Sequence, residues 1–138
     1  MKVITSHVNA DFDSLSSMIA AKKLYPDAAL VFPGSQEKTL RDFLIHSTLY
    51  LYDIVKLKKS DYDSIDTLIL VDTRDRTRIG ELAKVAENGK TIVHVYDHHP
   101  DSECDVKAHF QIVRSVGATV TILIGLLRER GIAITPEE

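Results

Sequence analysis

Four aspartates and three histidines in this sequence have the types and spacing of divalent-metal ligands. They fall into three clusters that are far apart along the chain, and they are His7, Asp11, Asp13, Asp72, Asp97, His98 and His99. If these carboxylates met without a cation, they would repel one another and raise one another's pKa values. Imidazole and carboxylate ligands without a thiolate suit Mn²⁺ or Mg²⁺, and Fe²⁺, Co²⁺ or Zn²⁺ can also accept them. The residue types therefore predict a divalent-metal site, provided that the fold brings the clusters together.

Short apolar strands precede each of the three clusters. Residues 2–5 form a β-branched run, and residues 68–71 and 91–96 are apolar runs typical of strands buried on both faces. Because ligands bind beyond the carboxyl ends of parallel strands, we expect the clusters to meet at one edge of a sheet. Further strands are expected at 28–32, 54–57 and 108–113, and helices at 13–24, 35–46, 79–87 and 117–130.

This alternation of strands and helices predicts an α/β fold. We expect a mainly parallel, Rossmann-like sheet of about five strands with helices on both faces, formed by residues 1–138 as a single domain. The helical periodicity places Phe12 and Phe43 on inward faces, and Ser35 is a candidate helix cap.

Each cluster also has an alternative interpretation. An aspartate after a strand is commonly a turn former or a helix cap, and Asp13 alone is as well explained by capping as by metal binding. A purely structural domain with surface acids is the third hypothesis for the whole chain. Three clusters that each follow a strand favour function over chance placement.

The clusters together resemble the ordered motifs of the DHH phosphoesterase superfamily. That superfamily includes RecJ-like exonucleases, oligoribonucleases, family II inorganic pyrophosphatases and exopolyphosphatase-related proteins. The matching segments are His7-x-x-x-Asp11-x-Asp13, Val71-Asp72-Thr73, Asp97-His98-His99-Pro100 and Gly117-Ala118-Thr119.

The resemblance implies a two-metal site, with Mn²⁺ or Mg²⁺ activating a water that hydrolyses a phosphate ester or anhydride. His7, Asp11 and Asp72 would hold one ion. Asp13, Asp72 and His98 would hold the other, so that Asp72 bridges the two ions.

The resemblance also implies roles for the other two residues of the third cluster. His99 would contact the substrate phosphate, which makes His99, Asp72 and His98 the candidate catalytic residues. Asp97 would orient the neighbouring histidines without binding metal itself.

Two further segments can contact phosphate. Arg74, Arg76 and Arg78 share one face if the loop after Asp72 is extended, and Arg74 is the preferred candidate. The alternative is a solvated loop in which Asp75 pairs with these arginines. Residues Gly117, Ala118 and Thr119 begin the last helix, whose backbone N–H groups can receive a phosphate, although packing and capping explain the segment equally well.

The sequence departs from the superfamily pattern towards its end. A further aspartate ligand in an Asp-Thr-Gly context is missing, because the only acids after Thr119 are Glu129, Glu137 and Glu138. Residues 135–138 have the pattern of a helix start. We therefore expect a domain truncated at its C-terminus, without the second, substrate-binding domain and with reduced activity on its own.

Composition excludes several classes of protein. Seventeen Lys and Arg against 20 Asp and Glu give a net charge of −3, which excludes a strongly basic nucleic-acid-coating protein. One cysteine, Cys104, excludes an internal disulfide framework and a cysteine zinc cluster. The longest apolar run, 120–127, is much shorter than the ~20 residues that span a bilayer. With no signal peptide visible, we expect a cytoplasmic protein that does not bind membranes.

The leading hypothesis is a metal-dependent phosphoesterase domain acting on an oligonucleotide, polyphosphate or pyrophosphate-type substrate. The alternative is a non-catalytic metal- or nucleotide-binding regulatory domain of a larger RNA-processing protein. A Pro-Gly-Ser-Gln segment at 33–36 resembles the subgroup fused to CBS and tRNA nucleotidyltransferase-like domains. Expected partners are therefore a phosphate-containing small molecule or oligonucleotide, those domains in the same native chain, and a second copy in a homodimer.

Overall fold

The computed structural model describes residues 1–46 and 54–136, and these form a five-stranded, all-parallel sheet. The strands are β1 (Lys2–Thr5), β2 (Ala29–Val31), β3 (Thr67–Val71), β4 (Ile92–Asp97) and β5 (Phe110–Val113). The helices are α1 (Phe12–Leu24), α2 (Lys38–His46), α3 (Leu82–Ala86) and α4 (Thr119–Glu129), with 3₁₀ turns at Lys59–Ser64 and Arg76–Arg78. Every strand pairing is parallel, which confirms the predicted α/β class.

Each face of the sheet is covered by helical segments because both faces of the central strands are apolar. Successive strand residues point to opposite faces. Ile4, Ile69 and Tyr96 pack under α1 and α4, while Leu68 and Leu70 pack under α3 and the 3₁₀ turn at Lys59–Ser64. All five residues of β3 are buried, and burying each large aliphatic side chain contributes roughly 1.5–3 kcal/mol.

The strand order β2-β1-β3-β4-β5 places a topological switch point between β1 and β3. From β1 the chain goes to β2 on one side, and it later returns to β3 on the other side. The two connections therefore diverge above the carboxyl ends of β1 and β3 and leave a crevice there. His7 and Asp72 follow these two strands, so both lie at the switch point.

Backbone hydrogen bonds fasten the loops around this crevice. Val8 N–H donates to the Arg78 carbonyl (2.7 Å), Ala10 N–H donates to Ser35 (3.2 Å), and Glu37 N–H donates to Ala10 (2.8 Å). Because Ser35 to Glu37 pair with the Ala10 segment, α2 begins at Lys38 and the predicted Ser35 cap is wrong.

Three other local predictions are wrong. Residues 54–57 form a single bridge, Leu30 to Ile54, instead of a strand. The helix expected at 79–87 is reduced to α3, because Gly80 has a φ of +56° that interrupts helical geometry. Phe12 and Phe43 are 45% and 44% exposed and contact each other edge to face instead of entering the core.

Among residues 1–46 and 54–136, none of the helices has the length and the apolar character that a membrane span requires.

Candidate metal centre

Asp72 lies at the centre of the site, directly after β3, with its carboxylate almost completely buried. Its φ of +61° is in the left-handed region, where Asp is tolerated better than most residues. Its Oδ2 lies 3.4 Å from His7 Nε2, and its Oδ1 lies 3.4 Å from His98 Nε2. The turn thus directs one carboxylate oxygen towards each histidine.

Two groups of possible ligands share Asp72. His7, Asp11 and Asp72 form one group, and Asp72, His98 and His99 form the other. Within each group the ligand atoms lie within 4.8 Å of one another. The first group is the predicted ligand set for one ion. The second group differs from the predicted set for the other ion, because it contains His99 and not Asp13.

Backbone carbonyls set the orientation of two of these histidines. His7 Nδ1 lies 2.8 Å from the Val8 carbonyl, and His98 Nδ1 lies 2.9 Å from the Val116 carbonyl. Since a carbonyl only accepts, each Nδ1 carries a proton, and each ring when neutral offers its Nε2 lone pair to a cation. The donor set, with carboxylate oxygens and imidazole Nε2 atoms around a shared Asp72, fits divalent cations such as Mn²⁺ or Mg²⁺.

Asp13 contacts the start of α4. Its Oδ2 accepts from Thr119 N–H (2.9 Å), and its Oδ1 accepts from Val120 N–H (3.0 Å). Its Oδ2 is 3.9 Å from His98 Nε2. The positive end of the helix attracts the carboxylate, so Asp13 provides the capping that Ala118, at the N-cap position, lacks. Metal binding by Asp13 stays a prediction.

The same contacts occupy the predicted phosphate-binding segment. Asp13 uses the N–H groups of Thr119 and Val120, and Thr119 Oγ1 donates to Asp72 Oδ1 (3.1 Å). Of the predicted segment, Gly117 is exposed and Ala118 is half-buried. A phosphate contact at this helix terminus therefore stays a prediction for Gly117 and Ala118 and competes with Asp13 at Thr119.

Asp97 and Arg74 lie beneath the two histidines of the third cluster. Asp97 Oδ1 accepts from His99 Nδ1 (2.7 Å) and from the His98 backbone N–H (2.9 Å), and its orienting role stays a prediction. Arg74 is buried and donates to the His99 carbonyl (3.0 Å) and to Asp101 (2.7 Å). The structure thus places Arg74 under the histidine loop, whereas the prediction has it reaching a phosphate.

Three pKa values in the site depart from their ordinary range. Burial lowers the pKa of His7, but the hydrogen bonds that its ring donates to Asp72 and to the Val8 carbonyl outweigh burial, so that pKa is raised. Burial raises the pKa of Asp72, yet hydrogen bonds from His7, Ser14 and Thr119 leave it lowered. Burial raises the pKa of Asp13, more than the α4 amides lower it. An ionised Asp72 thus lies beside a His7 ring that keeps its proton to a higher pH than a free histidine does.

Ser14 is the site residue that sequence reasoning missed. Its Oγ donates to Asp72 Oδ2 (2.9 Å) and lies 2.8 Å from His7 Nε2. Ser14 is fully buried in the first turn of α1, where Asp11 caps the helix by accepting from the Ser14 backbone N–H (3.0 Å). The available signal was its position one helical turn from Asp11, which directs it towards the same edge of the sheet.

Comparisons with known proteins agree with the fold. The model of the DHH family, N-terminal domain, matches residues 2–138, which is nearly the whole chain. An exopolyphosphatase-related protein from Bacteroides fragilis has a similar fold, with a TM-score of 0.70 at 20% sequence identity. That similarity covers 94% of this chain and 39% of the other chain.

Two curated relatives are much longer than this chain. Both are A-adding tRNA nucleotidyltransferases, one from Geobacter sulfurreducens (47% identical over 138 residues) and one from Aquifex aeolicus (33% identical over 146 residues). The matches cover 100% and 99% of this chain but only 16% and 15% of those proteins. The chain therefore spans about one-sixth of the length of these relatives.

Proposed function

The chain belongs to the DHH family, as its N-terminal domain, and from this we propose that it is a divalent-metal-dependent phosphoesterase domain. Its reaction is hydrolysis of a phosphodiester or phosphoanhydride, on an oligonucleotide, polyphosphate or pyrophosphate-type substrate. The observation that carries the proposal is the position of Asp72, whose two oxygens each lie 3.4 Å from a different histidine Nε2. A carboxylate placed in this way suits two cations and not one.

Some residues of the site would bind the cations, and others orient the residues that bind them. His7, Asp11, Asp72 and His98 would hold two ions, Mn²⁺ or Mg²⁺, with Asp72 shared between them. Such ions supply Lewis-acid polarisation of a phosphate and a nucleophilic water. Ser14 and Thr119 each donate to one oxygen of Asp72 and so fix the plane of the shared carboxylate.

His99 is the histidine best placed to meet substrate. Its side chain is 41% exposed, and Asp97 holds its Nδ1, so Nε2 is the ring atom left to face a phosphate. No serine or cysteine nucleophile is part of the proposal, because the attacking group is water.

Hydrolysis in the presence of Mn²⁺ tests this function. Wild type, Asp72→Asn and Asp63→Asn are compared on a chromogenic phosphodiester, a short oligoribonucleotide and inorganic polyphosphate. Asn retains the shape of Asp72 and tolerates its positive φ, so only the charge is lost. We expect Asp72→Asn to abolish hydrolysis and Mn²⁺ binding, and the same charge change at exposed Asp63 to have no effect. Equal Mn²⁺ binding by wild type and Asp72→Asn would refute the shared role of Asp72.

The second candidate function is metal or nucleotide binding without turnover, in the service of attached domains. The observation in its favour is that both curated relatives are A-adding tRNA nucleotidyltransferases in which the matched region is a small part. In that case this chain lies in the same native protein as nucleotidyltransferase and CBS domains, in the cytoplasm. Hydrolysis by the longer protein that His98→Ala abolishes would decide for the phosphoesterase. Mn²⁺ binding without hydrolysis in that protein would decide for the regulatory role.

A further inference from the structure

Arg74 is a buried cation in the middle of three carboxylates. Its side chain is 5% exposed, and its Nη2 donates to Asp101 Oδ1 (2.7 Å) and to the His99 carbonyl (3.0 Å). Its Nε lies 2.8 Å from Asp105 Oδ2 and 3.8 Å from Asp97 Oδ2. The guanidinium thus joins both ends of the loop that runs from His99 to Asp105.

Asp97 links this cation to the His99 ring. Its carboxylate is 1% exposed, and Oδ1 accepts from His99 Nδ1, while Oδ2 has no hydrogen-bond partner. Arg74 Nε also lacks an aligned hydrogen bond, although it is close to two carboxylates. A buried carboxylate needs a counter-charge, and Arg74 is the cation that lies within 4 Å of Asp97 Oδ2 among the described residues.

We propose that Arg74 is a positioning residue for His99. It holds the His99 backbone through the carbonyl, and it holds the His99 ring through the charge of Asp97. The planar guanidinium can reach a carbonyl and several carboxylates at once, which a lysine ammonium cannot do with the same geometry. The inference rests on the proposed function only for what His99 does to a phosphate; the fixation of the ring is independent of it.

Backbone pairing separates this role from general stability. Val106 N–H donates to the Arg74 carbonyl (2.8 Å), and Arg76 N–H donates to the Cys104 carbonyl (3.0 Å). These bonds tie the two segments together without the guanidinium. Substituting the Arg74 side chain should therefore release the His99 ring while the loop stays attached.

The neighbouring Arg76 provides a matched control. It lies in the same loop and carries the same charge, but it is exposed, and its Nε is 3.7 Å from Glu87 Oε1. Its guanidinium donates to the Glu103 carbonyl only at 3.4 Å. A loss of charge at this position tests whether any arginine in the loop matters.

The experiment measures the ring of His99 in the 138-residue chain without metal. Long-range ¹H–¹⁵N spectra at about pH 8, above the ordinary histidine pKa, report which ring nitrogen carries the proton. His99→Asn identifies the His99 signals, and Asp97→Asn shows the signature of a ring without its anchor. The variants are Arg74→Gln, Arg74→Lys and Arg76→Gln, each checked for folding by circular dichroism.

We expect the protonated-Nδ1 signature in wild type and Arg76→Gln. In Arg74→Gln the His99 signals should move most of the way to those of Asp97→Asn, and Arg74→Lys should lie between. A folded Arg74→Gln variant with the wild-type signature would overturn the proposal. If Arg74→Gln does not fold, Arg74→Lys decides, because an unchanged signature there overturns the proposal and a shifted one supports it. Since neither metal nor turnover is used, failure of the hydrolysis assay leaves this result unaffected.

Discussion

Asp72 combines an unfavourable backbone conformation with a carboxylate in which both oxygens accept a hydrogen bond. A left-handed φ costs an L-residue roughly 1–2 kcal/mol, less for Asp, whose side chain bonds locally. In this conformation the carboxylate oxygens accept hydrogen bonds from Ser14 and Thr119 and face His7 and His98. Strain at a residue surrounded by possible metal ligands is typical of a functional position.

Replacement of Ser14 by Ala should destabilise the fold and weaken Mn²⁺ binding. Ser14 is buried, so its replacement removes the hydrogen bond from Ser14 Oγ to the buried Asp72 Oδ2, which costs about 1–3 kcal/mol. Urea unfolding measures the stability, and titration calorimetry measures the affinity. Ser16→Ala, two residues further along α1 and half-buried, is the matched control and should change neither quantity appreciably. Identical unfolding curves for Ser14→Ala and Ser16→Ala would contradict the role of this hydroxyl.

Binding of Mn²⁺ should weaken as the pH falls through the raised pKa of His7. The metal needs the neutral ring, and a pKa above the usual 6.5 keeps the proton on the ring to a higher pH. Below that pKa the affinity should fall by about tenfold per pH unit for one displaced proton. Calorimetry in buffers of different ionisation enthalpy counts the protons released.

For stability without metal the sign is the opposite. The folded-state pKa of His7 is raised, so its contribution is complete below about pH 6.5 and is lost as the pH rises through the raised value. Both pH effects should persist in His46→Gln, a change at an exposed residue of α2. In His7→Gln the effect on stability should disappear, and the Mn²⁺ affinity should depend less steeply on pH. A Mn²⁺ affinity that is independent of pH would exclude His7 as a ligand.

The loops at the carboxyl edge of the sheet hold the site together by close backbone approach. Gly34 and Gly80 lie where these loops cross, and a Cβ on Gly34 would come 2.9 Å from Val8 Cγ1. A Cβ on Gly80 would come 3.0 Å from the Pro33 carbonyl oxygen. The crossing therefore presses the segment after β2 against the segments that follow β1 and β3.

Gly80→Ala should destabilise the protein more than Gly89→Ala. Both glycines have positive φ, +56° and +70°, so both substitutions incur backbone strain of roughly 1–2 kcal/mol. Only Gly80 adds a contact with the Pro33 carbonyl, since nothing lies within 4 Å of a Cβ on Gly89. Urea unfolding of the two variants isolates that contact. Equal losses of stability would show that the crossing loops yield without cost.

The molecule as a whole has a buried apolar core and a negative net charge, whose sign two bound divalent cations would reverse. Both faces of β3 are buried under helical segments, whereas the acids of the site gather at one edge. The formal charge of the chain is −3, and two divalent cations would change it to +1. The cations would then offset the charge of the four site aspartates, Asp11, Asp13, Asp72 and Asp97, which otherwise repels phosphate from this edge.

Mn²⁺ should raise the unfolding temperature of the chain because it binds the folded state. At one hundred times the dissociation constant, a bound ion adds about 2.7 kcal/mol to the free energy of unfolding. Thermal melts with Mn²⁺ and with chelator measure the shift, which should be absent in Asp72→Asn and retained in Asp63→Asn. A melting temperature unchanged by either addition would favour the third hypothesis, a structural domain with surface acids.

Much of the fold and the positions of the acidic clusters were predictable from the sequence. Continuous apolar runs identify strands buried on both faces, and residues after such strands must lie at one edge of a parallel sheet. Local signals therefore determined that His7, Asp72 and His98 share an edge. They also identified Asp97 as a partner of the histidines, since the contact spans only two residues.

The contacts between distant segments were decided by the tertiary structure. Ser14 bonds with Asp72 across 58 positions, and Asp13 reaches the amides of α4 more than 100 positions away. The sequence predicts Arg74 as a phosphate contact in an extended loop, yet packing against the His99–Asp105 segment buries its side chain. Such contacts depend on how loops cross above the sheet, and sequence periodicity carries no information about that crossing because it describes one element at a time.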